Sequence, residues 1–316
     1  MSKVEINYIL LAHKNPDQLQ RLIERLTARY VKFYIHIDKQ VDINKFKRKI
    51  PESDEIFYLR NIDRKNGTWG DLGIVKATIN AMKLILNQKR NGVCILLSGQ
   101  DYPLVSTAKI SDFLNEHQKI NFISTVSLPF KGWHKGGKDR IEKYKFNKSF
   151  KRGHFIQMPS IWEKEFYQKD TPGRINFLRK KGKFKEILKL LKKRRFPKDI
   201  KPYGGSQWFI LPISTIESIL LYLQQNPKYL SYHQFTLLPD EILIQSIVRK
   251  LEEEGKIRPS LTYVNWTRPH GDLPVTFKTE DFEELKSKSK NFLFARKFDT
   301  SQDHNILDLI DEHLLR

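Results

Sequence analysis

The chain of 316 residues holds 57 Lys and Arg against 36 Asp and Glu, a formal net charge of +21. With 39% hydrophobic and 12% aromatic residues it can bury a large core, which excludes global disorder. A single cysteine, Cys94, excludes a disulfide scaffold and a cysteine-built zinc site, and no apolar run reaches the roughly 20 residues that cross a bilayer.

In chain order, the first third alternates short apolar runs with amphipathic ones, the pattern of βαβ units on a parallel sheet. Ile6–Ala12 reads as a buried strand. Asn15, Pro16 and Asp17 then supply an N-cap, a proline in the first turn and an acid, and Leu19, Leu22, Ile23 and Leu26 mark a helix. Strands follow at 32–37 and 55–59. A helix is predicted from Trp69 to Leu86, then a central strand over 92–97 with a turn at Ser98–Pro103. Beyond about Asn121 the pattern loosens, and the Gly-rich, basic segment 131–137 reads as a loop. Order returns with a turn and strand at 204–212, a helix through Leu223, a helix opening at Pro239 and a last one from Asn305 to Leu315.

Much of the positive charge lies between Phe177 and Arg195, where Ile187, Leu188, Leu190 and Leu191 can form the apolar stripe of a cationic helix. Such a helix either packs its stripe on the core or docks on anionic headgroups. No zinc-finger spacing, aromatic RNA-recognition signature or basic heptad array accompanies the charge, so nucleic acid is not an expected partner.

Ligands on such sheets gather outside the carboxyl ends of the strands. His13, Asp38 and Asp101 fall there, although short polar residues also simply begin turns. Phosphate loops are absent, and so is Asp-x-Asp, the carboxylate pair that holds Mg²⁺ or Mn²⁺ on a sugar nucleotide. A diphosphate leaving group would then need cationic side chains as its clamp. Asp240 and Glu241 read either as ordinary helix-start acids or as a carboxylate base aimed at a substrate hydroxyl. By composition, 292–299 is a strand or turn with a surface ion pair.

Seven segments in order, Tyr8–His13, Ile35–Asp38, Thr68–Gly70, Leu97–Pro103, Gly204–Trp208, Pro239–Glu241 and Leu293–Asp299, resemble the Branch family of glycosyltransferases, which includes core-2/I-branching N-acetylglucosaminyltransferases and protein xylosyltransferases. The resemblance implies an α/β, GT-A-type Rossmann-like fold with a mainly parallel central sheet flanked by helices. It implies inverting, metal-independent transfer of GlcNAc or xylose from a UDP-sugar to a glycan hydroxyl, with no cofactor beyond the donor. Glu241 takes the base role; Lys297 and an upstream arginine, Arg268, with Arg296 as the second choice, take the diphosphate. His13, Asp38 and Asp101 line the nucleotide and donor side. Trp208, Gln207, Asp240, Arg140 and Tyr144 are assigned to the sugars. The whole chain, 1–316, is expected to form one domain: a nucleotide-binding half at 1–125, a basic acceptor- or membrane-facing insertion at 126–202, and a catalytic and acceptor half at 203–316.

The animal relatives are membrane-anchored and disulfide-bonded. The single cysteine and the absence of a signal-peptide core therefore suggest a bacterial cytoplasmic member, peripheral to the membrane, acting on a glycan or lipid-linked glycan in surface polysaccharide synthesis. A metal-dependent or retaining glycosyltransferase is the alternative within the class, and a basic nucleic-acid-binding protein the alternative outside it.

Overall fold

Ile6–Ala12 forms strand β1 because it is apolar on both faces of its pleat, as a strand covered on both sides must be. The computed structural model describes residues 3–316. After β1 come α1 (Pro16–Leu26), β2 (Val31–Ile37), α2 (Asn44–Lys47), β3 (Ile56–Tyr58), α3 (Leu72–Asn87), β4 (Val93–Ser98), β5 (Asp101–Pro103), α4 (Thr107–Glu116) and β6 (Asn121–Ile123). The middle of the chain holds β7 (Val126–Ser127), α5 (Lys138–Glu142), β8 (Tyr144–Asn147), β9 (Phe155–Met158), α6 (Thr171–Lys180) and α7 (Phe184–Lys189). The remainder comprises β10 (Tyr203–Gly204), β11 (Phe209–Pro212), α8 (Ile213–Gln225), α9 (Pro227–Tyr232) and α10 (Leu243–Leu251), then β12 (Ile257–Arg258), β13 (Thr262–Val264), α11 (Phe282–Lys288), β14 (Phe294–Arg296) and α12 (Asn305–His313).

The main sheet has the order β12-β6-β11-β4-β1-β2-β3. Its strands are parallel except β11, which runs antiparallel to β4 and β6. The expected α/β fold with a mainly parallel sheet is therefore present, and the sheet draws strands from both the 1–125 and 203–316 halves. Alternation along β1 sends Tyr8 and Leu10 into one core with α1, α4 and α12, and Ile9 into the other with α3, α8 and α10. A smaller sheet, β13-β14-β5, lies beyond the carboxyl end of β4.

Three predicted elements change. The helix expected from Trp69 begins at Leu72, because Gly70 turns the chain at φ +71 and Asp71 is extended. The helix expected from Pro239 is interrupted: Pro239–Glu241 is a separate single turn, Ile242 breaks from helical geometry, and α10 starts at Leu243. The buried Gln245 amide holds this kink by donating to the carbonyls of Asp240 and Ser206. The cationic helix of 177–195 is two short helices. Gly182, at φ +67, ends α6 in a Schellman arrangement, its N–H bonded to Arg179 and that of Lys183 to Leu178. The Leu stripe splits accordingly: Leu190 is buried and Ile187 half-buried in the insertion's own core, while Leu188 and Leu191 face water.

Candidate active site

The carboxyl edge of the main sheet gathers the ends of β1, β2, β4 and β6 and, because β11 is antiparallel, the residues entering β11. His13 follows β1 and is partly screened from water. That screening and the charge of Lys14 lower its pKa, against Asp38. Asp38 follows β2, where its carboxylate accepts the N–H groups of Gln40 at 2.8 Å and Gly67 at 2.6 Å. A Cβ on Gly67 would lie 2.7 Å from Asp38 Oδ2, so a larger residue here would displace that carboxylate. Buried Arg64, which sequence reading missed, fixes the end of β2 through the carbonyls of Ile37, Asp38 and Val41.

Asp101 opens β5, after the turn that follows β4. It is fully buried, accepting the Ser98 N–H at 2.6 Å and the Arg296 guanidinium at 2.9 Å. Burial raises its pKa, and Arg296 opposes the rise. The expected surface ion pair of 292–299 is thus a buried one, and Asp101 is the brace for Arg296. The other face of that guanidinium lies over the Trp208 ring, 4.2 Å from its centroid. Trp208, buried and entering β11, thus carries Arg296 over its ring. Gln207 beside it is half-buried.

Lys297 follows Arg296 directly. Among the described residues no carboxylate lies within 4.0 Å of its amine; desolvation, then Arg152 and Arg296, push its pKa down. Arg152, missed from the sequence, is exposed and sits over the Trp69 ring at 5.5 Å. Lys14 belongs to the same cationic group but is paired with Asp299 at 2.5 Å. Burial would raise the Asp299 carboxyl; hydrogen bonds from Lys14, Ser301 and Asn15 outweigh it and hold the group well below the usual range. Asn15 thus bonds Asp299 rather than capping α1. Gln18, fully buried, staples the region by donating to the carbonyls of Gly99 and Phe298.

Glu241 lies at the same edge because its carbonyl accepts the Gly205 N–H at 2.9 Å, four residues before β11. Its carboxylate accepts from Arg140 at 2.5 Å, and Arg140 stacks on Trp133, 3.7 Å from the ring centroid. Trp133 in turn packs on Gly204, where a Cβ would meet the indole at 2.3 Å. Gly205 is tighter still: a Cβ would strike the Ser124 carbonyl oxygen at 1.8 Å. Burial raises the Glu241 pKa, with Arg140 opposing. Asp240 is raised to about 7 by burial and by Glu241, and its Oδ1 is buried without a partner. Leu238, left-handed at φ +56, bonds the Gly70 carbonyl and so brings the Thr68–Gly70 segment against this turn. Next to it, Lys145, Asp71 and Asn147 form a closed polar knot.

Two expected site residues are bonded to groups outside the cationic corner. Arg268 is held by the carboxylate of Asp281 at 2.5 Å, with Glu284 3.9 Å away, so its charge is answered at the start of α11. Tyr144 is buried in the insertion, its hydroxyl donating to the Lys192 carbonyl at 2.8 Å, and it holds that unit together. Among the described residues no group of three or more His, Cys, Asp or Glu is placed to hold a metal ion.

The profile of a known family, described as Core-2/I-Branching enzyme, matches residues 6–289. Xylosyltransferase 2 of Rattus norvegicus is 25% identical over 98% of this chain and 34% of its own length. Xylosyltransferase 1 of Rattus norvegicus is 23% identical over 98% of this chain and 35% of its own length. The chain thus spans about a third of the curated relatives it matches. A solved 4-diphosphocytidyl-2C-methyl-D-erythritol synthase from Anaerococcus prevotii aligns with 91% of this chain and 96% of its own at 13% identity, with a TM-score of 0.39.

Proposed function

The chain belongs to the Core-2/I-branching enzyme family of glycosyltransferases, and on that premise we propose that it transfers a sugar, xylose or GlcNAc, from a UDP-sugar to a hydroxyl of a glycan acceptor, inverting the anomeric centre. The observation that carries the reading is the pairing, at one sheet edge, of a carboxylate braced by arginine with a lysine that has no carboxylate within 4.0 Å among the described residues.

In this mechanism the uridine lies by His13 and Asp38, and the diphosphate by Lys297 and Arg152. The acceptor hydroxyl gives its proton to Glu241 as its oxygen bonds the anomeric carbon from the side opposite the diphosphate. The bond to UDP breaks, and its electrons go to the departing phosphate oxygen. An α-linked donor gives a β-linked product in one step. Negative charge builds on UDP, where the cations already positioned at the site oppose it. Arg296, paired with Asp101, lies over the Trp208 ring and fixes its position beside the donor. The basic insertion supports an acceptor carried on an anionic lipid, a precursor of a bacterial surface polysaccharide.

The decisive variant is Glu241→Gln. It should lower kcat by about 10²–10⁴ while leaving UDP binding within a few-fold, measured by turnover and calorimetry. Undiminished turnover removes the base assignment. Full turnover in EDTA is expected; activity that collapses in EDTA and returns with Mn²⁺ assigns the leaving-group charge to a metal instead.

A further inference from the structure

The insertion presents a face that its own core does not use. α7 and the turn after it place Phe184, Leu188 and Leu191 at i, i+4 and i+7, one stripe of a helical surface. They are 58%, 63% and 54% exposed, and Trp162, which donates its indole N–H to the Leu191 carbonyl at 2.7 Å, is 70% exposed. The opposite side of the same turn, Ile187 and Leu190, packs against Phe166 and Leu178. A groove of about 580 Å³, lined by residues that include Phe166, Tyr167, Pro172 and Ile175, opens on the same insertion.

Around this stripe the charge is one-sided. From 179 to 195 the chain holds ten Lys and Arg and one acid, Glu186. Of the ten, Arg194 turns inward, where backbone carbonyls and Thr236 satisfy it. Among the described residues none of the ten forms an ion pair; the adjacent pair in sequence is Arg174 with Asp170. Large apolar groups ringed by unanswered cations fit an interface that is apolar below and anionic above. A second copy of the chain fits poorly, since a two-fold contact would set like charge against like charge. Nucleic acid would satisfy the lysines but leave Leu188 and Leu191 with nothing to stack on.

We infer that this face docks on an anionic lipid bilayer, Trp162, Phe184, Leu188 and Leu191 entering the headgroup–acyl boundary while the surrounding lysines contact lipid phosphates and carboxylates. It draws on no residue of the candidate site, so it stands or falls apart from the role of Glu241.

Flotation of the full chain with vesicles tests it without any need for turnover. The chain should float with vesicles of phosphatidylcholine and phosphatidylserine in equal parts and not with phosphatidylcholine alone, and lose binding as salt rises. Leu188→Ser with Leu191→Ser should weaken binding at least about tenfold, and Lys180→Gln and Lys181→Gln about fivefold each, all with unchanged melting temperature because the side chains are exposed. Equal recovery on neutral and anionic vesicles, or unaltered binding by the double Leu variant, overturns the inference. So does absence of flotation together with a dimer in light scattering, or a salt-sensitive shift of RNA in a gel, that the double Leu variant abolishes.

Discussion

The carboxylates of Asp240 and Glu241 are adjacent in sequence and compete for ionisation in a site screened from water. Burial raises both, Glu241 raises Asp240 further, and Arg140 pulls Glu241 back. With Glu241 as base, kcat/KM should rise with pH as this pair loses its protons. Asp240→Asn removes one negative charge and should move that limb to lower pH; Arg140→Met removes the stabilising cation and should move it to higher pH, both read from pH–rate profiles. Shifts in the same direction would contradict the electrostatics. Stability gives a second readout of the same residue. A carboxyl raised on folding destabilises the native state as pH climbs through its folded value, so Asp240→Asn should gain melting temperature relative to wild type at pH 8 and less at pH 5. Asp299 has the opposite sign. Its lowered pKa contributes stability above the ordinary Asp value of about 3.9, lost on acidification. Asp299→Asn should cost about 1–3 kcal/mol at pH 7, with the gap to wild type closing in acid, measured by denaturant melts.

Among elements, the turn before β11 is the tightest joint of the site. Gly205 lies against the backbone at the end of β6 and also ties down Glu241, so Gly205→Ala should cost about 3 kcal/mol or more in a denaturant melt. Gly204→Ala meets the Trp133 ring instead, which can shift and carry Arg140 with it. That change should spare stability relative to Gly205→Ala and lower kcat. The main strands and α1 were readable because their apolar spacing matches one period. The roles expected of Glu241 and Lys297 come from motif resemblance alone. What periodicity could not supply were residues acting across long sequence gaps. Gln18 falls outside the apolar spacing of α1 and Asp299 ends a segment read as a strand or turn with a surface ion pair, yet both are buried and bonded to distant segments. Arg152 lies in the irregular insertion, where no pattern marks it, and Arg268 has the right charge but an acidic neighbour 13 positions on that takes it. The stretch 177–195 is not one helix because Gly182, at positive φ, ends α6 within it.

At the scale of the whole molecule, the basic balance does not reside in the site, where Lys14 and Arg296 are each answered by an acid. It resides in the insertion, so salt should affect lipid docking far more than UDP affinity, a contrast that calorimetry and flotation on one preparation would expose. The contacts that complete the cationic corner bridge very long stretches of polypeptide: Lys14 meets Asp299 across 285 positions and Arg296 meets Asp101 across 195. During synthesis, β1 and β4 can pair long before those partners emerge, and Asp101 must wait without its guanidinium. Refolding should therefore restore helix and sheet signals ahead of nucleotide affinity, making UDP capture a reporter of the completed native state and a poor measure of early collapse.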